Sequence, residues 1–385
     1  MNKLEELIKE HCPDGVEYKK LSKVASVERG KRVVREQLPK EGKYLVFQNS
    51  LTPLGFYNQC NYKANTTYVI GAGAAGDIGF SKNDFWAADD CFPIVCSSAL
   101  NDRYAYHFLL SKQQIIYGKV RRGSIPRLSR QVIEDLEIPV PPIEVQREIV
   151  RILDNFTELT TELTTELTAR KKQYEYYRDQ LLNFEKIGGV ESKTIGELSS
   201  FRRGSFPQPY GNKEWYDGEG SMPFVQVADI GDNFQLMPTT KRKISKIAQP
   251  MSVFAPKGSI IISLQGSIGR IAITQYDAFI DRTVAIFKDL SPIVFPKFFV
   301  YQLQRVFSIK EKTARGSTIK TITKEEFTDF TIALPSLVVQ KRVADTLDNF
   351  DAICSDLNIG LPAEIEARQK QYEYYRDRLL SFKEI

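Results

Sequence analysis

Apolar residues recur at steps of three and four along two long stretches of this chain. The first runs Ile149, Leu153, Phe156, Leu159, Leu163, Leu167, then Tyr174, Tyr177 and Leu181. The second runs Val343, Leu347, Phe350, Ile353, Leu357, Leu361, Ile365, then Tyr372, Tyr375 and Leu379. A stripe at this period on an otherwise polar surface predicts two long amphipathic helices, the first over roughly 143–184. The stripe is narrow, as in a two-helix coiled coil; the plainer alternative is two independent helices, each packed on its own domain. From Phe156 to Leu167 the steps are three, four and four, an eleven-residue rhythm rather than strict heptads.

Upstream of each helix the period shortens. Apolar runs such as Tyr44-Leu-Val-Phe47, Thr67-Tyr-Val-Ile70 and Phe92-Pro-Ile-Val95 are separated by Gly, Pro and Asn. Their later counterparts are Phe224-Val-Gln-Val227, Ser259-Ile-Ile-Ile262, Ile271-Ala-Ile273 and Val284-Ala-Ile-Phe287. Short strands with frequent turns and little helix between them predict a mixed, curled sheet rather than a βαβ series. Helical patterns follow, from Arg103 to Tyr117 and from Pro296 to Lys312. Proline-marked boundaries, Ile138-Pro-Val-Pro-Pro142 and Ile332-Ala-Leu-Pro335, then lead into the long helices.

The halves share residues as well as periods. Lys172-Gln-Tyr-Glu-Tyr-Tyr-Arg-Asp179 returns as Lys370-Gln-Tyr-Glu-Tyr-Tyr-Arg-Asp377. Gln146-Arg147 with Leu153-Asp-Asn-Phe156 returns as Gln340-Lys341 with Leu347-Asp-Asn-Phe350. One duplicated unit explains this, giving a globular domain over 1–142, a helix over 143–187, a second domain over 188–335 and a second helix over 336–385. Between the matched blocks the second helix is four residues longer, and Gly360-Leu-Pro362 within it predicts a kink or break. The first helix instead holds Thr-Glu-Leu-Thr three times, at Thr157, Thr161 and Thr165. The repeat reads as a ruler adjustable by turns of helix, or simply as a threonine-rich amphipathic stretch.

Composition narrows the class. With 385 residues, 42% hydrophobic and 26% charged, the chain fits two or more ordinary globular domains. A net charge of +5 permits nucleic acid without arguing for it. The polar start and the lack of any apolar run near ~18 residues predict a cytoplasmic protein with no membrane segment. Five scattered cysteines read as reduced thiols, and two histidines leave little room for metal chemistry.

Catalytic motifs are scarce. Gly71-Ala-Gly-Ala-Ala-Gly76 has the dinucleotide-binding spacing, but Asp77-Ile-Gly-Phe-Ser-Lys-Asn83 after it is turn-rich where a helix is required. Gln265-Gly-Ser-Ile-Gly-Arg270 keeps only a Gly-x-Ile-Gly core at the matching place, so a hairpin common to both halves is the better reading. Asp89-Asp90 faces Asp281-Arg282 in the other half, so no duplicated acid/base pair survives.

What both halves keep is a set of basic and polar turns. Arg29, Lys31 and Arg32 are answered by Arg203 and Ser205; Arg121, Arg122 and Ser124 are answered by Arg315 and Ser317. Lys119, Arg127, Arg130, Lys241-Arg-Lys243 and Lys320 add charge nearby. Glycine admits a phosphate to the backbone, serine and amides donate to it, and arginine adds charge or a base contact. The other reading of each turn is a solvated surface. At strand ends and hairpins, Gln48, Asn49, Gly76, Asp77, Gln226, Gln265, Ser267 and Arg270 are the candidate DNA contacts.

The chain resembles the specificity subunits of Type I restriction-modification systems over essentially its whole length. The resemblance rests on Cys12-Pro-Asp-Gly-Val-Glu17, the Ile-Pro-x-Pro entry, Leu-Asp-Asn-Phe, Gly360-Leu-Pro-Ala-Glu-Ile365 and Lys-Gln-Tyr-Glu-Tyr-Tyr-Arg-Asp. It implies an α+β fold with a pseudo-twofold internal repeat: two mixed α/β target recognition domains joined by two helices in an antiparallel coiled coil. The stripe residues Leu153, Phe156, Leu159, Leu163, Leu167 and Tyr174 would face Leu347, Phe350, Leu357, Leu361, Ile365 and Tyr372. It further implies double-stranded DNA, methyltransferase (modification) subunits and restriction/translocase subunits as partners. The chain itself would carry no cofactor and catalyse nothing; S-adenosylmethionine and ATP with Mg would sit on the partner subunits. A stand-alone two-domain DNA-binding or architectural protein, and an enzyme using Gly71 to Gly76 for a nucleotide, are the other classes left open.

Overall fold

The computed structural model describes residues 2–184, 190–231, 233–313, 327–355 and 360–385. They form two compact units, Met1–Thr164 with Glu364–Ile385, and Thr165–Ala363. Each unit therefore holds the first part of one long helix and the last part of the other.

In unit 1 a four-stranded antiparallel sheet has the order Ala25–Val27, Cys91–Cys96, Thr66–Ile70, Ile78–Ser81. Beside it lies a three-stranded sheet, Gly55–Tyr57, Tyr44–Phe47, Phe85–Ala87, whose last pair is parallel. All five residues of Thr66–Ile70 are buried, which explains why this strand reads as a continuous apolar run instead of an alternating one. Val69 packs into the cluster that includes Phe108 and Leu109 of the helix Asp102–Ser111. Tyr68 and Ile70 point the other way, into the cluster with Phe47 and Phe85 of the second sheet.

Unit 2 repeats the plan. Its first sheet runs Ser200–Arg203, Val284–Lys288, Ile260–Ser263, Ile271–Ile273; its second runs Arg242–Ile244, Met222–Val225, Ala278–Ile280, Val253–Ala255. Again the pair Met222–Val225 and Ala278–Ile280 is the parallel one. Ile260 and Ile262 join the core with Phe298 and Phe299 of the helix Pro296–Thr313, while Ile261 joins the core of the other face. In place of one curled sheet, each half thus contains two separate sheets, with a strand of the first buried on both of its faces.

Short ladders close the neck of each unit, Tyr18–Lys20 on Glu137–Pro139 and Glu191–Thr194 on Thr331–Leu334. Beyond Pro142 the first long helix is continuous from Ile143 to Leu181, 39 residues or roughly 58 Å at 1.5 Å per residue. The second is described as two helices, Leu337–Ser355 and Leu361–Leu379. Pro362 falls in the first turn of the latter, where a missing backbone N–H costs nothing. Leu357 lies outside the described residues. The helical stretch over 103–117 is two helices, Asp102–Ser111 and Gln113–Gly118. The Phe224-Val-Gln-Val227 run is a strand only to Val225; Gln226 then caps a short 3-10 turn.

The stripe is uneven. Leu153 and Leu347 are fully buried, while Phe156, Leu163, Leu167, Tyr174, Phe350, Leu361, Ile365 and Tyr372 are half-buried. Leu159 departs from the expectation at 45% exposure. Phe156 stacks on Tyr375 within unit 1, and Tyr177 on Phe350 within unit 2. No helix among the described residues is long and apolar enough to cross a membrane.

Candidate nucleic-acid interface

The glycine-rich segment of unit 1 is the turn of the hairpin formed by Thr66–Ile70 and Ile78–Ser81. Ile70 and Gly76 close it, with Ile70 N donating to Asp77 O and Gly76 N donating to Ile70 O, both at 2.8 Å. In unit 2, Ser263 N donates to Arg270 O at 2.8 Å and Gly269 N to Ser263 O at 3.0 Å. The positive φ angles match too: 81° and 95° at Gly73 and Gly76, 75° and 81° at Gly266 and Gly269. Only glycine takes these angles without strain, so the dinucleotide-like spacing records a turn.

This hairpin fixes the register of the two halves. Gly71 N donates to Asp90 O as Leu264 N does to Thr283 O, so Ala72 answers Gln265 and Asp89 answers Arg282. The sequence pairing of Asp89-Asp90 with Asp281-Arg282 was therefore one residue out of step.

In unit 1 several candidates converge on one edge. Arg29 Nε donates to Asp89 O at 2.9 Å, and Gln48 Nε2 reaches Asp89 Oδ1 at 3.4 Å. Asn49 O accepts from Ala74 N of the hairpin turn at 2.9 Å, and Gly73 N donates to Pro126 O at 3.1 Å. The basic loop is pinned there, because Arg121 and Arg127 exchange backbone bonds of 2.9 and 3.1 Å. Lys31, Arg32, Arg121, Arg122 and Ser124 are exposed, and none of the basic four forms an ion pair among the described residues. Gly76 and Asp77 do not belong to this edge. Gly76 is buried, a Cβ there would lie 2.7 Å from the Tyr117 ring, and Asp77 Oδ1 accepts from the Tyr117 hydroxyl at 2.7 Å.

The Arg-Gly turns also resolve differently from expectation. A Cβ on Gly30 would sit 2.1 Å from Ala88 O, and one on Gly204 would sit 2.3 Å from Ile280 O. These glycines admit the chain's own neighbouring strand, not a phosphate; the basic residues flanking them remain exposed.

In unit 2, Gln226 and Gln265 line one open concavity of about 430 Å³ with Tyr210, Gly266, Arg282 and Thr283. Gln226 N is held by Asp229 Oδ2 at 2.9 Å. Ser267 and Arg203 are exposed. Ser205 Oγ donates to Met251 O at 3.0 Å, and Arg270 Nη1 donates to Ile230 O at 2.9 Å. Arg315 and Ser317, with Lys320, lie outside the described residues. Sequence reading missed Tyr210, Arg282 and Thr283, which carry no repeat signal and follow no motif.

Each long helix is anchored by the same bonds. Gln146 Oε1 accepts from Asn101 N at 2.8 Å, and its Nε2 donates to Ala99 O and Pro141 O at 2.8 and 2.7 Å. Gln340 makes the matching set with Phe295 N, Ile293 O and Pro335 O at 2.8, 3.0 and 2.8 Å. Two turns later, Asp154 Oδ1 accepts from Arg103 Nε at 2.7 Å and pairs with His107 Nε2 at 2.9 Å, while His107 Nδ1 meets the Tyr372 hydroxyl at 2.8 Å. A carboxylate only accepts, so Nε2 carries the ring proton and Nδ1 accepts from the tyrosine. Burial above all holds the His107 pKa below its usual value. Burial pushes the Asp154 carboxyl up, but bonds from His107 and Arg103 outweigh it and the net shift is downward. In unit 2 Tyr301 takes the histidine's place, donating to Asp348 Oδ1 at 2.6 Å.

Two matched α/β units on one chain, each with an exposed polar edge and a shared pattern of helix anchors, define a duplicated recognition protein. The description "Type I restriction modification DNA specificity domain" fits residues 13–171 and again 188–367; the chain belongs to that family of specificity subunits. It is 34% identical to a type I restriction enzyme specificity subunit of Escherichia coli, covering 78% of this chain and 76% of that one. A putative type I restriction enzyme specificity subunit of Haemophilus influenzae is 29% identical over 95% of this chain and 96% of its own length. Among solved structures, the S subunit of a Type I system from M. genitalium covers 96% of this chain and 97% of its own, with a TM-score of 0.60 at 17% identity. At that identity the likeness shows the fold.

Proposed function

We propose that each unit reads one half of a bipartite site in double-stranded DNA, the recognition domains being 1–142 and 188–335 and the spacer helices 143–187 and 336–385. The carrying observation is the pair of hairpins with matching turn geometry but different side chains, Ala72 against Gln265 and Asp89 against Arg282. A common scaffold with divergent edges is what two different half-sites require. In unit 1, Arg29, Lys31, Arg32, Arg121, Arg122 and Ser124 hold phosphates, and Gln48 and Asn49 face base edges. In unit 2, Arg203 and Ser267 serve the backbone, with Gln226 and Gln265 toward the bases; Arg315 and Ser317 join them.

The helices set the spacer and dock methyltransferase subunits. In support, the repeated Tyr-Tyr motif leaves Tyr176 and Tyr374 exposed at 62% and 60%, one matched aromatic per helix. Adenine methylation with S-adenosylmethionine, and restriction with ATP and Mg, belong to the modification and restriction/translocase subunits in the cytoplasm, and this chain contributes recognition without catalysis. The test is selection of bound fragments from a random-sequence duplex library by the chain with its modification subunits. Two short fixed blocks at a constant gap are expected; one contiguous block, or none, rejects the reading.

A further inference from the structure

Arg282 lies in the concavity of unit 2 on a built support. Its guanidinium carbon stands 4.9 Å from the centre of the Tyr210 ring. The Tyr210 hydroxyl donates to Asp281 Oδ2. Asp281 is 2% exposed and also accepts from Thr283 N at 2.9 Å and Thr283 Oγ1 at 2.7 Å. The carboxylate is thus occupied by three neutral donors, and Arg282 forms no ion pair among the described residues. The guanidinium lies over the ring, and with no carboxylate paired to it among the described residues its N–H groups are left for a ligand.

Two acceptors can meet such a fork in DNA, a phosphate or the O6/N7 edge of guanine. Two observations favour the base. Gln226 and Gln265 line the same concavity, and amides offer donors as well as acceptors, which suits base edges more than an acceptor-only phosphate. The register then places Asp89 of unit 1 opposite Arg282. Phosphates are common to every sequence, so a phosphate position does not call for opposite charges in the two halves; a carboxylate there would repel one.

We propose that Arg282 is a specificity-determining residue of unit 2, donating to O6 and N7 of a guanine, and that position 89/282 is where the two half-sites diverge. At that position Asp89 accepts from an exocyclic amine, of cytosine or adenine, in unit 1. The proposal rests on the DNA-reading function given above.

The test repeats the library selection with Arg282→Ala and Arg282→Lys in the full complex. The expected result is loss of one guanine requirement in one half-site, with discrimination at that base falling roughly 5- to 150-fold and the other half-site unchanged. Lysine keeps the charge but not the fork, so Arg282→Lys relaxes the same base. An unchanged motif in both variants overturns the assignment while leaving the function intact. So does a uniform affinity loss in Arg282→Ala restored by lysine, which would make Arg282 a phosphate ligand. A wild-type complex that selects no motif overturns the function, and this assignment with it.

Discussion

A single buried glutamine fastens each long helix to its globular unit. Gln146 satisfies one backbone N–H and two carbonyls at once, so Gln146→Ala strands all three, the Pro141 carbonyl in full burial and the other two partly buried. Each costs about 1–3 kcal/mol without water, and partial relaxation suggests a net loss of roughly 3 kcal/mol, read as a lower urea midpoint. The histidine bonded to Asp154 adds a pH dependence. His107 is neutral in the fold with its pKa held down, so its contribution is complete above 6.5 and is lost as pH falls below that value. Protonation turns Nδ1 into a donor and breaks the bond from Tyr372, while Asp154 stays ionised. The urea midpoint should drop from pH 7 toward about pH 5, and by less in His107→Gln; equal drops would contradict this. These roles were only half legible. Gln146 and Asp154 stand in repeated blocks, but the sequence does not say what they touch. Arg282 entered the sequence reading only in a pairing one residue out of step, because its counterpart Asp89 is found through hydrogen-bond register.

At the level of elements, apolar pattern translated well where burial is complete. Thr66–Ile70 and Ile260–Ser263 are covered on both faces, and their runs stand out. Strands of three residues such as Gly55–Tyr57 and Val253–Ala255 left no periodic trace, so the second sheet of each unit was not foreseen. The Thr-Glu-Leu-Thr segment gains a physical basis as a ruler. Thr157, Thr160, Thr161 and Thr164 each donate a hydroxyl to the carbonyl four residues earlier, at 3.1, 2.9, 2.8 and 2.7 Å. These bonds are local and repeat with the unit, so removing one unit deletes about one turn, or ~6 Å, without stranding a partner. Removal should shorten the spacer by about two base pairs and leave both half-sites unchanged. An unchanged spacer in the mapped motif would sink the ruler.

Taken whole, the chain uses duplication to present one scaffold twice with different edges. The repeat was plain in the helices, where Leu-Asp-Asn-Phe and Gln-Tyr-Glu-Tyr-Tyr-Arg-Asp recur letter for letter. In the globular parts, by contrast, it survives in strand order and turn angles more than in residues. Connectivity also hides something that sequence blocks do not suggest. The C-terminal segment returns to unit 1, where Val16 N donates to Lys383 O at 2.8 Å and the Tyr18 hydroxyl to Phe382 O at 3.0 Å. In the proposed function this chain alone chooses the DNA sequence that is methylated. Mapping N6-methyladenine across the genome, in cells with and without the chain, tests it most directly. One bipartite motif with a constant gap is expected, and it vanishes when the chain is deleted. A methylation pattern indifferent to the deletion would contradict it.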